Sequence, residues 1–376
     1  MATIYIHIPF CKQACHYCNF HFSTSLKNKE AIVDAISLEL SLKSNGFSET
    51  IDSIYFGGGT PSLLDINDFE ILLNKIHKKY SISESVEITV ECNPDDIYEN
   101  KLIGLKKMSI NRLSIGVQSF VDEELKIMNR SHDSKIALES ILKSKNLFEN
   151  ISIDLMYGLP NSNFKNWEFN LNTIDQFNLN HISAYAITVE PKTALESYVK
   201  KQIIKMPDDD FVHSQFNLLY DFFTNKNYIN YELNSFSKEN YFSKNNSSYW
   251  LRKRYIGVGP SAHSYNGYER SWNVSNNKKY IDDIKNKILF SGKETLSKVD
   301  RYNEYLMTGL RTVWGVSIDL LESDFGEKFK NHFLKNSKEY IKSNFIEVNN
   351  GVYTTTKSGK FLADGIASNM FIIDLN

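Results

Sequence analysis

Six times in the first half of the chain, a short run of β-branched and aromatic residues ends in a cluster of small or polar ones. No other feature limits the fold as much. The runs fall at 3–8, 52–56, 86–90, 112–115, 151–156 and 181–189, and their composition and alternation predict strands. Helical spacing lies between them, as with Ile32, Ile36 and Leu40 in 30–44. Further helices are expected at 66–78, 98–108 and 122–147, the last broken at Asn129-Arg130-Ser131-His132. Strand and helix in alternation argue for parallel βα units joined by right-handed crossovers. A barrel and a doubly wound sheet share that rhythm. No glycine-rich dinucleotide or P-loop motif follows any strand. Polar motifs stand at all six strand ends, which suits a ring better than a single crevice. The expectation is an α/β fold with a partial (β/α)6 barrel over residues 1–230.

The rhythm changes beyond Pro207. A helix is expected at 209–224, a strand at 228–233 and a polar loop at 234–248. Residues 231–295 read as a connecting region flanking the barrel, with Tyr249-Trp250 and Ala262-His263-Ser264 in it. From 296 to 376 a smaller α+β unit is expected, with helices at 300–312, 318–322 and 327–343. A hairpin follows at 345–356 around Asn350-Gly351, a strong turn signal, then a helix near Ser358 and an apolar tail at 370–373. Helices followed by a hairpin give a winged-helix-like pattern. Its charges are scattered, so it suits packing or partner contact better than nucleic acid.

Forty-three Lys and Arg against 45 Asp and Glu give a net charge of −2, which disfavours a nucleic-acid partner held by bulk electrostatics. No apolar run reaches the roughly 18 residues of a membrane span. The chain starts straight into a strand, so no signal peptide is expected. With 4 cysteines, three of them in one loop, a disulfide framework is not expected and a cytoplasmic setting is. The 21 Tyr and 24 Phe are mostly core, with some available to line a pocket for a large flat ligand.

Cys11, Cys15 and Cys18 stand in C-x3-C-x2-C spacing just after the first strand, which Pro9 ends. Thiolates are soft ligands for iron–sulfur clusters, zinc or copper. A [4Fe–4S] cluster on three thiols keeps one iron open. A structural zinc would need a fourth ligand, for which His16 and His21 are near enough in sequence. Buried free thiols are the third reading. Other strand ends carry Gly57-Gly58-Gly59-Thr60, Glu91, Gln118 and Asp154. The glycines make either a tight turn or a place where bare backbone meets a ligand. Glu91 is either a surface carboxylate or a ligand acceptor. Arg130 could simply pair with Glu123 or Glu124 on a helix face, and His7 reads as a satisfied core histidine.

The cysteine spacing with the aromatic Tyr17 before Cys18 resembles the radical S-adenosylmethionine (radical SAM) superfamily. The resemblance implies a [4Fe–4S] cluster on Cys11, Cys15 and Cys18, SAM on the fourth iron, Tyr17 near the adenine, and reductive cleavage to a 5′-deoxyadenosyl radical. The wider set Y-I-H-I-P-F-C, F-G-G-G-T-P-S, E-C-N-P, R-L-S-I-G-V-Q-S-F, D-L-M-Y-G-L-P and S-A-Y-A-I-T-V-E-P-K-T is similar to the oxygen-independent coproporphyrinogen dehydrogenases and their heme-chaperone relatives. That likeness covers nearly the whole chain. It implies a six-unit partial barrel with a smaller C-terminal domain and SAM at Tyr5, Gly58, Gly59, Thr60 and Glu91. Gln118, Arg130 and Asp154 match positions that contact a second SAM or flank the substrate. Phe20 stands where the dehydrogenases carry a further cysteine, and their N-terminal extension is absent. Both departures point to the heme-chaperone branch, implying heme as ligand, an acceptor protein, and a reductant such as a flavodoxin or ferredoxin. The alternative is the dehydrogenase activity itself, oxidative decarboxylation of porphyrinogen propionates. Asn245 stands where the chaperone branch often has a candidate heme-ligating histidine, which leaves His263, His16 and His21 as substitutes.

Overall fold

The structure, a computed structural model, describes residues 2–373. Six strands carry the βα rhythm: β1 (Ala2–Ile8), β2 (Ile51–Gly58), β3 (Ile82–Cys92), β4 (Arg112–Gln118), β5 (Asn150–Tyr157) and β6 (His181–Ala186). Each pairs in parallel with the next, so spatial order follows chain order. Right-handed crossovers between strands laid down in one direction put every helix on the same face. Such a sheet curls with its helices outside, whereas a doubly wound sheet reverses its order at a switch point. The partial barrel is the architecture found.

Parallel strands covered on both faces usually read as unbroken apolar runs. These alternate. Ile4, Ile6 and Ile8 are fully buried on one face of β1, with Thr3, Tyr5 and His7 at the positions between. Ile151, Ile153 and Leu155 alternate with Ser152 and Asp154 on β5. The apolar face packs under helices such as Lys29–Lys43 and Ile66–Lys79 through Ile36, Leu40, Leu72 and Ile76. Each such side chain contributes about 1.5–3 kcal/mol of burial. The inner face is polar, and the hydroxyls of Thr3, Ser53 and Thr89 are buried there without a partner among the described residues.

Local boundaries differ from expectation most at two places, and a third agrees. β6 ends at Ala186, not 189, with Ile187 N giving the last parallel bond to Tyr157 O at 2.9 Å. The fifth and sixth strands are joined by a helix, Phe164–Asp175, that the sequence reading did not bound. The long helix is two, Asp122–Ile127 and Ser134–Lys145, broken where expected.

Residues 231–295 do more than connect. They hold β8 (Ser235–Ser237), β9 (Tyr255–Val258), β10 (His263–Tyr265), β11 (Glu269–Trp272) and β12 (Gly292–Thr295), after β7 (Ile229–Glu232). Among the described residues, these join the barrel strands in one sheet of order β12-β11-β10-β9-β1-β2-β3-β4-β5-β6-β8-β7. The stretch therefore extends both edges of the barrel. The expected polar loop at 234–248 contains β8 and the start of helix Lys244–Trp250, whose N-cap Ser243 accepts from Asn246 N.

The C-terminal residues build their own core. Helices Lys298–Leu310, Ile318–Phe325 and Glu327–Lys342 surround Tyr302, Leu306, Leu310, Leu321 and Phe333. A small sheet of β13 (Val316–Ser317), β14 (Ile346–Asn349) and β15 (Val352–Thr355) completes the winged-helix-like pattern. Asn350 and Gly351 turn the hairpin with φ of +50° and +76°, as such a turn requires. The Arg311 guanidinium over the Trp250 ring and Phe361 stacked on His213 fasten this unit to the barrel. Among the described residues, no helix is long and apolar enough to cross a membrane.

Candidate functional site

The cysteine loop leaves the C-terminal end of β1 and is fixed mainly by backbone. Cys11 N donates to Ser23 O, Ser23 N to Pro9 O, His16 N to Met128 O and Leu195 N to His16 O. Side chains add a strap: Gln13 Nε2 donates to Asn129 Oδ1 at 2.7 Å, and Asn129 Nδ2 to Ala14 O at 2.8 Å. Asn129 holds φ at +57°, a left-handed conformation that asparagine tolerates. The break between the two helices is thus the dock for the loop. Lys12 adds an ion pair to Asp95 at 2.8 Å.

Cys11, Cys15 and Cys18 are all free and half-buried. Burial pushes the Cys11 thiol up to about 11; a hydrogen bond from Thr60 opposes the rise, and Cys18 and Cys15 add to it. Burial raises Cys18 as well. The thiols therefore feel one another's charge, and a bound cation would have to draw off their protons. Among the described residues, no three His, Cys, Asp or Glu side chains are arranged to hold a single metal ion. The two histidines that could close a zinc site are engaged elsewhere. His16 Nδ1 lies 2.8 Å from Ile127 O, and His21 Nε2 lies 2.7 Å from Asn277 Oδ1. A polynuclear cluster puts each thiolate on a different iron, so its ligands stand farther apart than those of one ion. Three half-buried free thiols on one loop are a donor set that suits a cluster.

Arg130 ties the loop to two strand ends. Its Nη2 donates to Asn93 Oδ1 at 2.8 Å and Gly116 O at 2.7 Å, and its Nη1 to Cys15 Sγ at 3.3 Å and Tyr17 OH at 3.5 Å. It does not pair with Glu124, whose carboxylate accepts from Ser119 Oγ at 2.6 Å. Although burial opposes its charge, Tyr17 and Cys15 hold its pKa above the ordinary value. The Tyr17 ring packs against Leu125, Met128, Met156 and Leu159. Asn93 escaped the sequence reading as a site residue, although it sits inside the E-C-N-P motif.

The glycine loop closes tightly over β1. Gly58 has φ +110°, and a Cβ there would lie 2.6 Å from the His7 ring; at Gly59 it would lie 2.6 Å from Phe10 O. Gly58 N donates to Glu91 Oε2, Gly59 N to Ile8 O and Thr60 N to Phe10 O. Of the two readings of the glycine loop, the tight turn is seen: its N–H groups are engaged with the protein, because the loop doubles back onto the exit of β1. Tyr5 stacks on Tyr55 at 6.1 Å, and Tyr55 OH donates to Glu91 Oε1 at 2.8 Å. Burial pushes Glu91 up to about 7. His7 is satisfied as expected, 3.3 Å from Tyr5 OH and 2.9 Å from His21 O.

Beneath lies a polar cavity of about 50 Å³ lined by Glu91, Arg112, Asp154, His181, Tyr185 and Asn246. Burial pushes Asp154 up to about 6, against the hydrogen bonds from Ser114 Oγ at 3.2 and 3.3 Å. A space of this size with several polar partners suits ordered water. Gln118, at φ +70° in the irregular end of β4, carries its amide over Gly116 beside Arg130. Arg112 and His181 were missed, each being the first residue of a strand, where periodicity assigns no face. Asn245 is buried on its helix, its Oδ1 without a partner among the described residues and its backbone toward Glu87. His263 is exposed on β10, stacked on Trp272. Phe20 is 68% exposed beside the cysteine loop.

Residues 5–173 match the Radical SAM superfamily, and residues 296–362 the HemN C-terminal domain. The chain is 31% identical over 372 residues to the heme chaperone HemW of Bacillus subtilis (strain 168), covering 97% of this chain and 98% of that one. It is 36% identical over 364 residues to the heme chaperone HemW of Buchnera aphidicola subsp. Acyrthosiphon pisum (strain APS), covering 92% and 89%. The solved structure of coproporphyrinogen III oxidase (HemN), a radical SAM enzyme from Escherichia coli, superposes with a TM-score of 0.85 over 98% of this chain and 90% of that one. At 21% identity, that likeness speaks for the fold alone.

Proposed function

The chain belongs to the HemW family of radical SAM proteins, and from that premise we propose that it binds heme and passes it to an acceptor protein. Membership implies a [4Fe–4S] cluster and SAM. In this reading Cys11, Cys15 and Cys18 hold the cluster, and SAM occupies the iron they leave open. The observation that carries it is the loop itself: three free thiols on one loop docked on the helix break, with Arg130 on Cys15 and exposed Phe20 where the dehydrogenases carry a further cysteine. When bound, the cluster supplies one electron to the sulfonium of SAM. Arg130 balances negative charge at Cys15. Tyr17 offers an aromatic edge, while Tyr5, Gly58, Gly59 and Thr60 shape a close-fitting wall. Glu91, poised near neutrality, accepts or holds a proton. Asp154 lines the space below and Gln118 lies beside Arg130, and in this reading both serve a second SAM or the substrate. A flavodoxin or ferredoxin in the cytoplasm is the class of reductant that suits this chemistry.

Anaerobic reconstitution, followed by iron and sulfide analysis, SAM cleavage and hemin titration on one preparation, tests the proposal. Stoichiometric hemin binding, with release to an apo-hemoprotein, is the expected result. The match of residues 296–362 to the HemN C-terminal domain keeps a second reading in play, oxidative decarboxylation of propionates. Incubation with coproporphyrinogen, SAM and a reductant decides between them, since formation of protoporphyrinogen would overturn the chaperone reading.

A further inference from the structure

A cleft of about 710 Å³ separates the barrel edge from the C-terminal hairpin. One wall is β7, the last strand of the large sheet, with Tyr220 and Tyr228 beside it. The other is a face of the hairpin carrying Glu347, Asn349, Val352 and Thr354. These four share that face because β14 and β15 set Glu347 opposite Thr354 and Asn349 opposite Val352. Cavities of this size, part apolar with a few convergent polar groups, are the usual dimensions of small-molecule sites.

One unpaired charge lines it. Lys360 is 6% exposed. Among the described residues its ammonium has no hydrogen-bond or ion-pair partner, and it feels Glu232 and Glu347 only at longer range. Lys357, at the same cleft, is by contrast paired with Asp221 at 2.6 Å. Burying an unpaired ammonium is costly, and burial lowers Lys360 to about 8. An incoming anion would relieve that cost.

We propose that this cleft binds an amphipathic carboxylate, with the carboxylate on the Lys360 ammonium and the apolar body against Tyr228, Val313 and Val352. A porphyrin propionate and a fatty-acid headgroup share that chemistry. The porphyrin form rests on the heme-binding reading above; the site itself does not.

Three probes on the full chain separate the sources: hemin, hemin dimethyl ester, which has no free carboxylate, and laurate. Dissociation constants are measured for the wild type, Lys360→Met, Lys360→Arg and Val313→Trp, the last adding bulk at an exposed position on the cleft wall. A hydrogen bond to a charged group is worth about 1.5–3 kcal/mol, so Lys360→Met should bind a carboxylate probe at least about 10-fold more weakly. Lys360→Arg should stay close to the wild type, and Val313→Trp should lose binding. Bound probe should also protect Lys360 from amine-directed acetylation, read by peptide mass spectrometry. If laurate depends on Lys360 and hemin does not bind at all, the cleft stands and the heme reading fails. Hemin that binds equally to wild type and Lys360→Met, with laurate also indifferent, overturns the cleft and leaves the heme reading standing.

Discussion

The barrel sets Ile4, Ile6 and Ile8 outside and Thr3, Tyr5 and His7 inside, and repeats that division on every parallel strand. In the C-terminal unit, Tyr302, Leu306, Leu310 and Phe333 meet with little polar between them. One region spends half its strand positions on groups that add little to folding, while the other commits its interior to packing. Stability in the barrel therefore comes from its outer shell, and the inner face is free to be chosen for chemistry. Substitutions inside the barrel should change what is bound more than how firmly the chain folds, and substitutions in the C-terminal core should do the reverse.

The sharpest test is Cys11→Ala. Nearly all cluster iron should be lost on reconstitution, while the urea midpoint of the metal-free protein shifts by less than about 0.5 kcal/mol equivalent; a full iron complement in that variant would remove the basis of the site. The mirror experiment is Phe333→Ala. It should cost the C-terminal unit about 3–5 kcal/mol in denaturant unfolding and leave iron content unchanged. Arg130→Met lies between the regions, since the side chain is both anchor and site. It should lose about 2–4 kcal/mol and shed iron faster to a chelator, and Arg130→Lys should restore little, because one ammonium cannot hold Asn93 and Gly116 and also reach Cys15 and Tyr17.

The smallest effect concerns pH. Burial raises Glu91 from its ordinary 4.5 to about 7, so the folded chain holds a proton that the unfolded one releases. Stability from this group is full below about 4.5, falls as pH rises through about 7, and is flat above. Glu91→Gln should flatten that slope, measured as the difference between urea midpoints at pH 5 and pH 8. An unchanged difference would place the titration elsewhere.

Much of this was readable in advance because it is local. The cysteine spacing, the break at Asn129 to His132, the Asn350-Gly351 hairpin and the run of βα units depend on neighbours in sequence. What escaped depends on distant ones. Nothing in the periodicity of Tyr255–Val258 says that it lies beside β1, or that Ser235–Ser237 pairs with β6. The helix Phe164–Asp175 hides behind asparagines at 166, 170 and 172, poor helix formers. Asn170 is in fact buried, accepting from Phe120 N and donating to Glu124. The direction of an amide is also silent in sequence, so Gly58 and Gly59 read either as a tight turn or as open to a ligand, and their N–H groups point to Glu91 and Ile8.

The strand order begins at β12 and ends at β7, and β1 and β6 never meet. The curled wall thus has a seam, unlike a closed ring. Because β6 does not reach β1, a small change in the width of that wall breaks no ladder bond between those two strands.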